Sequence, residues 1–231
     1  MGFAEEKYTE EYFLHCKKNP DGTTTPVNYG VLGIEEFREG KIPSRIINFL
    51  SSVNFMDATV FEIGFGRGEA LKYAREKGAK RCFGVDFSAN AVKIAKEFLS
   101  PIHPTCPIVL ICSDILFYIG YVATQSIDIV LMLDVIEHIP KQEAETILAH
   151  VNRILRHGGS LVIETPFYSI DEDFIAQSYK YKDPSPTDLI PETKGMHCNK
   201  FTEHRFYETL TNYGFEKKKN TVCTFIKVRE I

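Results

Sequence analysis

Nowhere in this chain do about 18 apolar residues follow one another, the length that a membrane-spanning helix requires. The amino-terminal stretch MGFAEEKYTEEYF also lacks the basic-then-apolar order of a secretory leader. Both absences lead to the expectation of a soluble, unexported, cytoplasmic protein. Basic residues are not in excess either. The formal net charge is −4 and Lys and Arg are spread along the sequence, so no basic stripe exists of the kind that holds a phosphate backbone. Nucleic acid is disfavoured as a partner. The six cysteines, Cys16, Cys82, Cys106, Cys112, Cys198 and Cys223, include no C-x-x-C pair. Their spacing suits neither a disulfide framework nor a structural zinc site, and it fits a reducing compartment. Repeats and low-complexity tracts are absent, and no composition shift marks a domain boundary.

What is present is enough apolar sequence for one sizeable core. A chain of 231 residues, 44% of them apolar, predicts a single domain over 1–231. Short apolar runs at 58–63 (ATVFEI), 80–85 (KRCFGV), 107–112 (PIVLIC), 127–133 (IDIVLML) and 160–164 (SLVIE) alternate with stretches of helical spacing. Ala144, Ile147, Leu148, Val151 and Leu155 make the clearest helical stripe. Ser88 and Thr202 are placed to cap helices, and Gly78, Gly158 and Gly214 to end them. Strand and helix in alternation predict an α/β fold with a parallel sheet and right-handed crossovers. The tail, FEKKKNTVCTFIKV, reads as two closely joined antiparallel strands. Residues 165–200, rich in proline and aromatics without periodicity, are expected to form a lid or binding loop.

Three glycines at every second position close the first apolar run, VFEIGFGRG. In an open parallel sheet the first strand-to-helix turn is where ligands bind, and glycine there lets a ligand meet the backbone itself. Gly64, Gly66 and Gly68 occupy that turn. A dinucleotide fingerprint, G-x-G-x-x-G, would carry its third glycine one residue later, and here Glu62 stands just ahead of the turn. A carboxylate repels a pyrophosphate but accepts hydrogen bonds from an ammonium group, so the mouth suits a cationic ligand. Asp86, in GVDFS, ends the second run where a carboxylate can accept both hydroxyls of a ribose. A ribose without a pyrophosphate means a nucleoside. The competing role for Asp86 is to cap the helix that follows Ser88. Ser113 and Asp114, in ICSDILF, end the third run and are placed to accept from an adenine amino group, or else form a simple turn pair.

In order along the chain, E-I-G-F-G-R-G (62–68), V-D-F-S (85–88), C-S-D (112–114), D-V-I-E-H (134–138) and L-R-H-G-G-S-L-V-I (155–163) resemble the class I S-adenosylmethionine-dependent methyltransferases, in particular the group with a D-V-x-E-H turn. The resemblance spans about residues 55 to 165. It implies a Rossmann-like, doubly wound, seven-stranded and mostly parallel sheet whose last two strands form a reversed hairpin. Residues 1–50 would be an amino-terminal helical cap and 166–200 an acceptor-side insertion or lid. The implied cofactor is S-adenosylmethionine. Glu62 and the three glycines would lie near its methionine portion, Asp86 at the ribose hydroxyls with Phe87 beside it, Ser113 and Asp114 at the adenine, and Asp134 closing the methionine side.

A sulfonium already activates its methyl group, so such a protein mainly aligns acceptor, methyl and sulfur, excludes water, and removes a proton where the acceptor carries one. His138 is the candidate base, since imidazole titrates near neutral pH, and bracing of the turn is its structural alternative. Asp134, Glu137 and His138, with His197 from the later loop, also form a donor set for a divalent cation, as in some related quinone and small-RNA methyltransferases. Those relatives favour glutamate at the position of Asp134, and no metal is assigned. The acceptor must be recognised elsewhere. Tyr8, Tyr12, Phe13 and Tyr29 on one side, and Phe167, Tyr168, Phe174, Tyr179, Tyr181 and His197 on the other, suit a small and partly apolar molecule, although the same rings can serve as cover for the sheet. Asn28 and Tyr29, just ahead of Gly30, are further candidates for reaching the cofactor, although spacing alone does not show it. Three functions follow: methyl transfer to oxygen or nitrogen of a small molecule, a metal-assisted version acting on a quinol or an RNA end, and a non-catalytic cofactor-binding module that works through partners.

Overall fold

Each apolar run becomes a strand. The computed structural model describes residues 8–14, 17–18, 24–25, 33–100, 106–167, 197–221 and 223–231, and the chain divides into two compact units, Met1–Ile115 and Leu116–Ile231. The first unit runs α1 (Glu10–Leu14), α2 (Ile34–Arg38), α3 (Ser44–Leu50), β1 (Thr59–Ile63), α4 (Glu69–Glu76), β2 (Arg81–Asp86), α5 (Ala89–Phe98) and β3 (Ile108–Cys112). A two-residue antiparallel pairing of Lys17–Lys18 with Thr24–Thr25 lies ahead of α2. β1 and β2 are parallel from Thr59↔Arg81 to Ile63↔Val85, and β2 and β3 from Cys82↔Ile108 to Asp86↔Cys112. The order is therefore β3-β2-β1. Parallel strands are covered on both faces, which is why TVFEI has no polar alternation and Val60 through Ile63 are all buried. That continuity also buries Glu62. Ser88 begins α5 as expected, its hydroxyl accepting the Ala91 amide at 3.3 Å.

The second unit runs β4 (Ile127–Leu133), α6 (Lys141–Ile154), β5 (Leu155–Glu164), α7 (Glu203–Asn212), β6 (Phe215–Lys217) and β7 (Thr224–Lys227). β4 and β5 are parallel, β7 runs antiparallel to β5, and β6 pairs antiparallel with β7 from Phe215↔Lys227 to Lys217↔Phe225. The closing hairpin read from the tail is thus present. The seven strands are a Rossmann-like, mostly parallel sheet with an antiparallel end. Thr202 caps α7 through the Arg205 amide at 3.3 Å. α6 buries Ala144, Ile147, Leu148, Val151 and Ile154. One expectation fails here. Gly158 does not end α6, because the helix stops at Ile154 and Leu155 already pairs with Ile127. Gly158 sits instead inside β5 at φ 74°, where the register with β4 shifts between Ile127 and Ile129. Lys227 is fully buried, its Nζ donating to the Leu155 carbonyl at 2.9 Å and pairing with Glu230 at 2.7 Å. Among the described residues no helix is long and apolar enough to cross a membrane.

Candidate functional site

The first unit carries a cradle at the carboxyl ends of β1 and β2. Gly64, Gly66 and Gly68 all have left-handed dihedrals, with φ of 69°, 50° and 84°. The Gly64 amide donates to the Val85 carbonyl at 2.8 Å, which carries the chain off β1 toward β2. The Gly66 amide then donates to Asp86 Oδ2 at 2.9 Å, and Asp86 Oδ1 accepts from the Ser88 amide at 2.9 Å. Asp86 therefore ties the glycine turn to the start of α5, while the helix cap itself belongs to Ser88. Each carboxylate oxygen has a second lone pair, so Asp86 retains acceptor capacity for two hydroxyls. Gly68 serves a different purpose, because a Cβ there would stand 3.1 Å from Leu99 Cδ1 and 3.2 Å from Ala95 Cβ. It lets α4 start close against α5. The Ser113 amide donates to the Asp86 carbonyl at 3.0 Å, which brings half-buried Ser113 and Asp114 to the same end of the strands. Half-buried Phe87 takes the Cys112 thiol on its carbonyl at 3.7 Å.

The charge in this cradle is unbalanced. Arg67 pairs with Glu69 at 2.6 Å with both side chains almost fully buried, and Glu62 and Asp86 are buried beside them. Glu62 Oε2 has no hydrogen-bond partner among the described residues. Burial first, then the charges of Glu69 and Asp86, raise the Glu62 carboxyl well above its usual range, and the Leu71 amide only partly opposes this. Burial likewise pushes Asp86 up to about 6 against the lowering effect of the Ser88 and Gly66 amides. Of these three carboxyls, Glu69 is the one that pairs with Arg67. The folded pKa of Asp86 lies above its unfolded value, so its contribution to stability is fullest below the ordinary carboxyl range and is lost as pH rises through about 6. A cationic ligand with hydroxyl donors would relieve that cost.

The second unit holds a separate cluster. Past Leu133 the chain turns at half-buried Asp134, which adopts φ 54°, and its amide donates to the Glu164 carbonyl at 3.1 Å. A non-glycine residue in this region is sparse and concentrates at functional turns. A one-turn 3-10 helix, Ile136–His138, follows. Glu137 is buried, its Oε2 accepting the Thr165 hydroxyl at 3.0 Å. Its carbonyl accepts the amides of Cys198 at 2.9 Å and Asn199 at 3.0 Å, which fastens residues 197–199 to the turn. His197 is thereby held edge-on to His138, ring centroids 4.7 Å apart at 84°. Ligating atoms of Glu137, His138 and His197 lie within 4.8 Å of one another, a donor set of two imidazoles and a carboxylate. Asp134 stands outside that group. His138 is 9% exposed. Burial, then the charges of His138 and Lys200, lower His197 to about 3, so it stays neutral in the physiological range. Behind the turn lies a hollow of about 240 Å³ between α6 and α7, walled by Ile136 and Asn199 and by the charged Lys141, Glu145, Arg205 and Glu208. Its walls do not suit an apolar acceptor.

The structure thus brings Glu62, Gly64, Gly66, Asp86, Phe87, Ser113 and Asp114 to one end of the first unit. It gathers Glu137, His138 and His197 in the second. Of the rings expected to meet an acceptor, Tyr8, Tyr12 and Phe13 are buried in the first unit, where Tyr8 packs edge-on against Phe87 at 4.7 Å. Phe167 packs against Phe206 at 5.4 Å. Asn28, Tyr29, Tyr168, Phe174, Tyr179 and Tyr181 lie outside the described residues, as does most of the expected lid. Thr165, Asn199 and Arg67 escaped the sequence reading because their contacts form only on folding.

A family described as "Methyltransferase domain" matches residues 34–219. Among curated proteins, the carboxy-S-adenosyl-L-methionine synthase of Mannheimia succiniciproducens is 26% identical over 119 residues, covering 50% of this chain and 48% of that protein. The chain spans about half the length of the curated relatives it matches. Among solved structures, the cyclopropane synthase MmaA2 of Mycobacterium tuberculosis superposes with a TM-score of 0.66 at 14% identity, over 95% of this chain and 76% of that one. A SAM-dependent methyltransferase from Archaeoglobus fulgidus gives a TM-score of 0.56 at 19% identity, over 82% of this chain and 76% of that one. At these identities the structural likeness speaks for the fold.

Proposed function

From the chain's membership of the methyltransferase-domain family, which uses S-adenosylmethionine, we propose that it transfers a methyl group from that cofactor to an oxygen or nitrogen of a small-molecule acceptor. The observation that carries the reading is the buried Glu62 Oε2, without a hydrogen-bond partner among the described residues, in the same cradle as Asp86 and the Gly66 amide. When bound, the cofactor supplies a methyl group already activated by a sulfonium. Glu62 accepts from the ammonium group, and Asp86 accepts from the ribose hydroxyls with the oxygen lone pairs that Gly66 and Ser88 leave over. Phe87, Ser113 and Asp114 line the nucleobase end. Gly64 and Gly66 keep the turn free of side chains, and Gly68 seats α4 behind it. Asp134 closes the methionine side. His138 takes the acceptor's proton. In this reading the chain works as one domain, with residues 1–50 as its cap and 166–200 as the acceptor-side lid.

Isothermal calorimetry tests the reading directly. S-Adenosylhomocysteine is expected to bind at micromolar affinity and NAD not at all, and saturation at about 100 times the dissociation constant should stabilise the fold by about 2.7 kcal/mol. Tight NAD binding with none for S-adenosylhomocysteine overturns it. A pH dependence follows from Asp86. Hydroxyl donors favour its ionised form, so affinity for S-adenosylhomocysteine should fall about fivefold to tenfold between pH 7 and pH 5 as Asp86 takes up a proton near pH 6. Asp86→Asn should weaken binding at neutral pH and remove this part of the profile. A flat wild-type profile across that window would exclude Asp86 from the ribose.

A second reading is favoured by the grouping of Glu137, His138 and His197. In it, the three residues hold a divalent cation that would bind the acceptor oxygen and lower its proton affinity. Thr165 then orients the carboxylate ligand, a role that outer partners commonly fill around a bound ion.

A further inference from the structure

The amino-terminal segment is fastened to the cofactor cradle at two points. At one end the Tyr8 carbonyl accepts the Ser88 hydroxyl at 3.2 Å and the Asn90 side-chain amide at 3.0 Å. At the other, the Phe13 carbonyl accepts Arg67 Nη1 at 3.4 Å. Ser88 and Arg67 are the chain neighbours, one residue or two removed, of Asp86 and Gly66, and those two are themselves joined. The hydrogen bonds therefore close a circuit: strap, Ser88, Asp86, Gly66, Arg67, strap. Packing follows the same path. Tyr8 lies edge-on to Phe87 at 4.7 Å, Tyr12 to Tyr8 at 4.9 Å and Phe13 to Tyr12 at 5.0 Å, and all three rings of the segment are buried. Arg67 also stacks over Phe37 of α2 at 4.8 Å, so a residue of the glycine turn is the shared anchor of α1 and α2.

We infer that residues 8–14 are a strap across the nucleoside end of the cofactor site, and that Arg67, Ser88 and Asn90 are positioning residues that latch it there. The inference rests on the cofactor reading of Gly66 and Asp86. Its physical content is a linkage. Anything that fixes Asp86 and the Gly66 amide in the bound arrangement also fixes Ser88 and Arg67, and with them both ends of the strap. Capturing the cofactor and closing the strap are one equilibrium. Both latches grip backbone carbonyls, while the ring of Tyr8 builds the wall that faces Phe87 and Glu10 pairs with Lys93 of α5 at 2.5 Å.

Hydrogen exchange and stopped-flow binding of S-adenosylhomocysteine to the whole chain test this. Saturating ligand should slow exchange across residues 8–14 of the wild type by about fivefold or more. Asn90→Ala removes one latch without touching the α5 cap, and Tyr8→Ala removes the ring that meets Phe87. Each should release S-adenosylhomocysteine about five to ten times faster while capturing it no more slowly, as expected for loss of one hydrogen bond or ring contact from the closed state. Arg67→Met is less informative because it strands buried Glu69. Unchanged exchange in a wild type that binds the ligand, or release from both variants at the wild-type rate, overturns the strap. A wild type that binds no S-adenosylhomocysteine overturns the cofactor reading itself.

Discussion

Gly66→Val is expected to lower affinity for S-adenosylhomocysteine at least about 100-fold, the largest effect of any single change in the cradle. Gly66 has φ 50°, a region that costs an ordinary L-residue about 1–2 kcal/mol and a β-branched one more. To escape that strain the peptide must rotate, and the rotation withdraws the Gly66 amide from Asp86 Oδ2. The carboxylate then loses its orientation, and a branched side chain stands where the ligand would meet the backbone. Gly68→Ala provides the contrast. Its Cβ collides with Leu99 and Ala95, inside the protein, so it should lower the melting temperature with a smaller effect on affinity per degree lost. Calorimetry and thermal melts on the two variants separate the cases. A Gly66→Val protein that binds within threefold of wild type would show that no ligand approaches this turn.

If His138 is the base, His138→Ala should lower turnover by about 10²–10⁴ with cofactor affinity near wild type, because a general base acts in the transition state and not in the cofactor complex. The cation reading makes a different demand. Activity of the unmutated protein should then vanish with a strong chelator and return with magnesium or manganese, and Glu137→Ala should be as damaging as His138→Ala. The structure makes that second comparison clean. Glu137 holds Cys198 and Asn199 through its backbone carbonyl, which survives the substitution, so the loss falls on the carboxylate and its contacts, that with Thr165 among them. Combined loss of stability and cofactor binding in His138→Ala would instead mark the ring as a brace for the turn. Turnover within threefold of wild type, insensitive to chelator and with an unchanged melting temperature, would leave His138 in none of these roles.

The sheet was legible because β1, β2 and β4 are largely buried and therefore read as unbroken apolar runs. VFEI, CFGV and IVLML lie inside the observed strands, and the closing hairpin was visible in its tail. Caps were legible for a local reason, since Ser88 and Thr202 act on amides three residues ahead. Gly158 misled because a glycine after a helical stripe looks alike whether it ends a helix or relieves a strand whose register slips. The cradle was half legible. Residue types at the ends of the strands announced Glu62, Asp86 and the glycines, whereas the Asp86–Gly66 bond depends on the pairing of β1 with β2. The latches on the Tyr8 and Phe13 carbonyls could not be read at all, since every residue offers a carbonyl. The meeting of His138 with His197 was suggested by donor chemistry, but its cause, two amides gripping one carbonyl of Glu137, carries no side-chain signature.

The burial of Glu62 and Asp86 in the cradle, with Glu69 close to Glu62, bears on how much of this protein a cell would keep. The ligand-free chain folds with those carboxyls buried, a cost that a cationic ligand seated beside them would offset. A shift of one or two kcal/mol in folding free energy changes steady-state abundance severalfold, because proteases sample the unfolded fraction. The amount of protein present would then follow the supply of its cofactor, rising when the nucleoside is plentiful and falling by turnover when it is scarce.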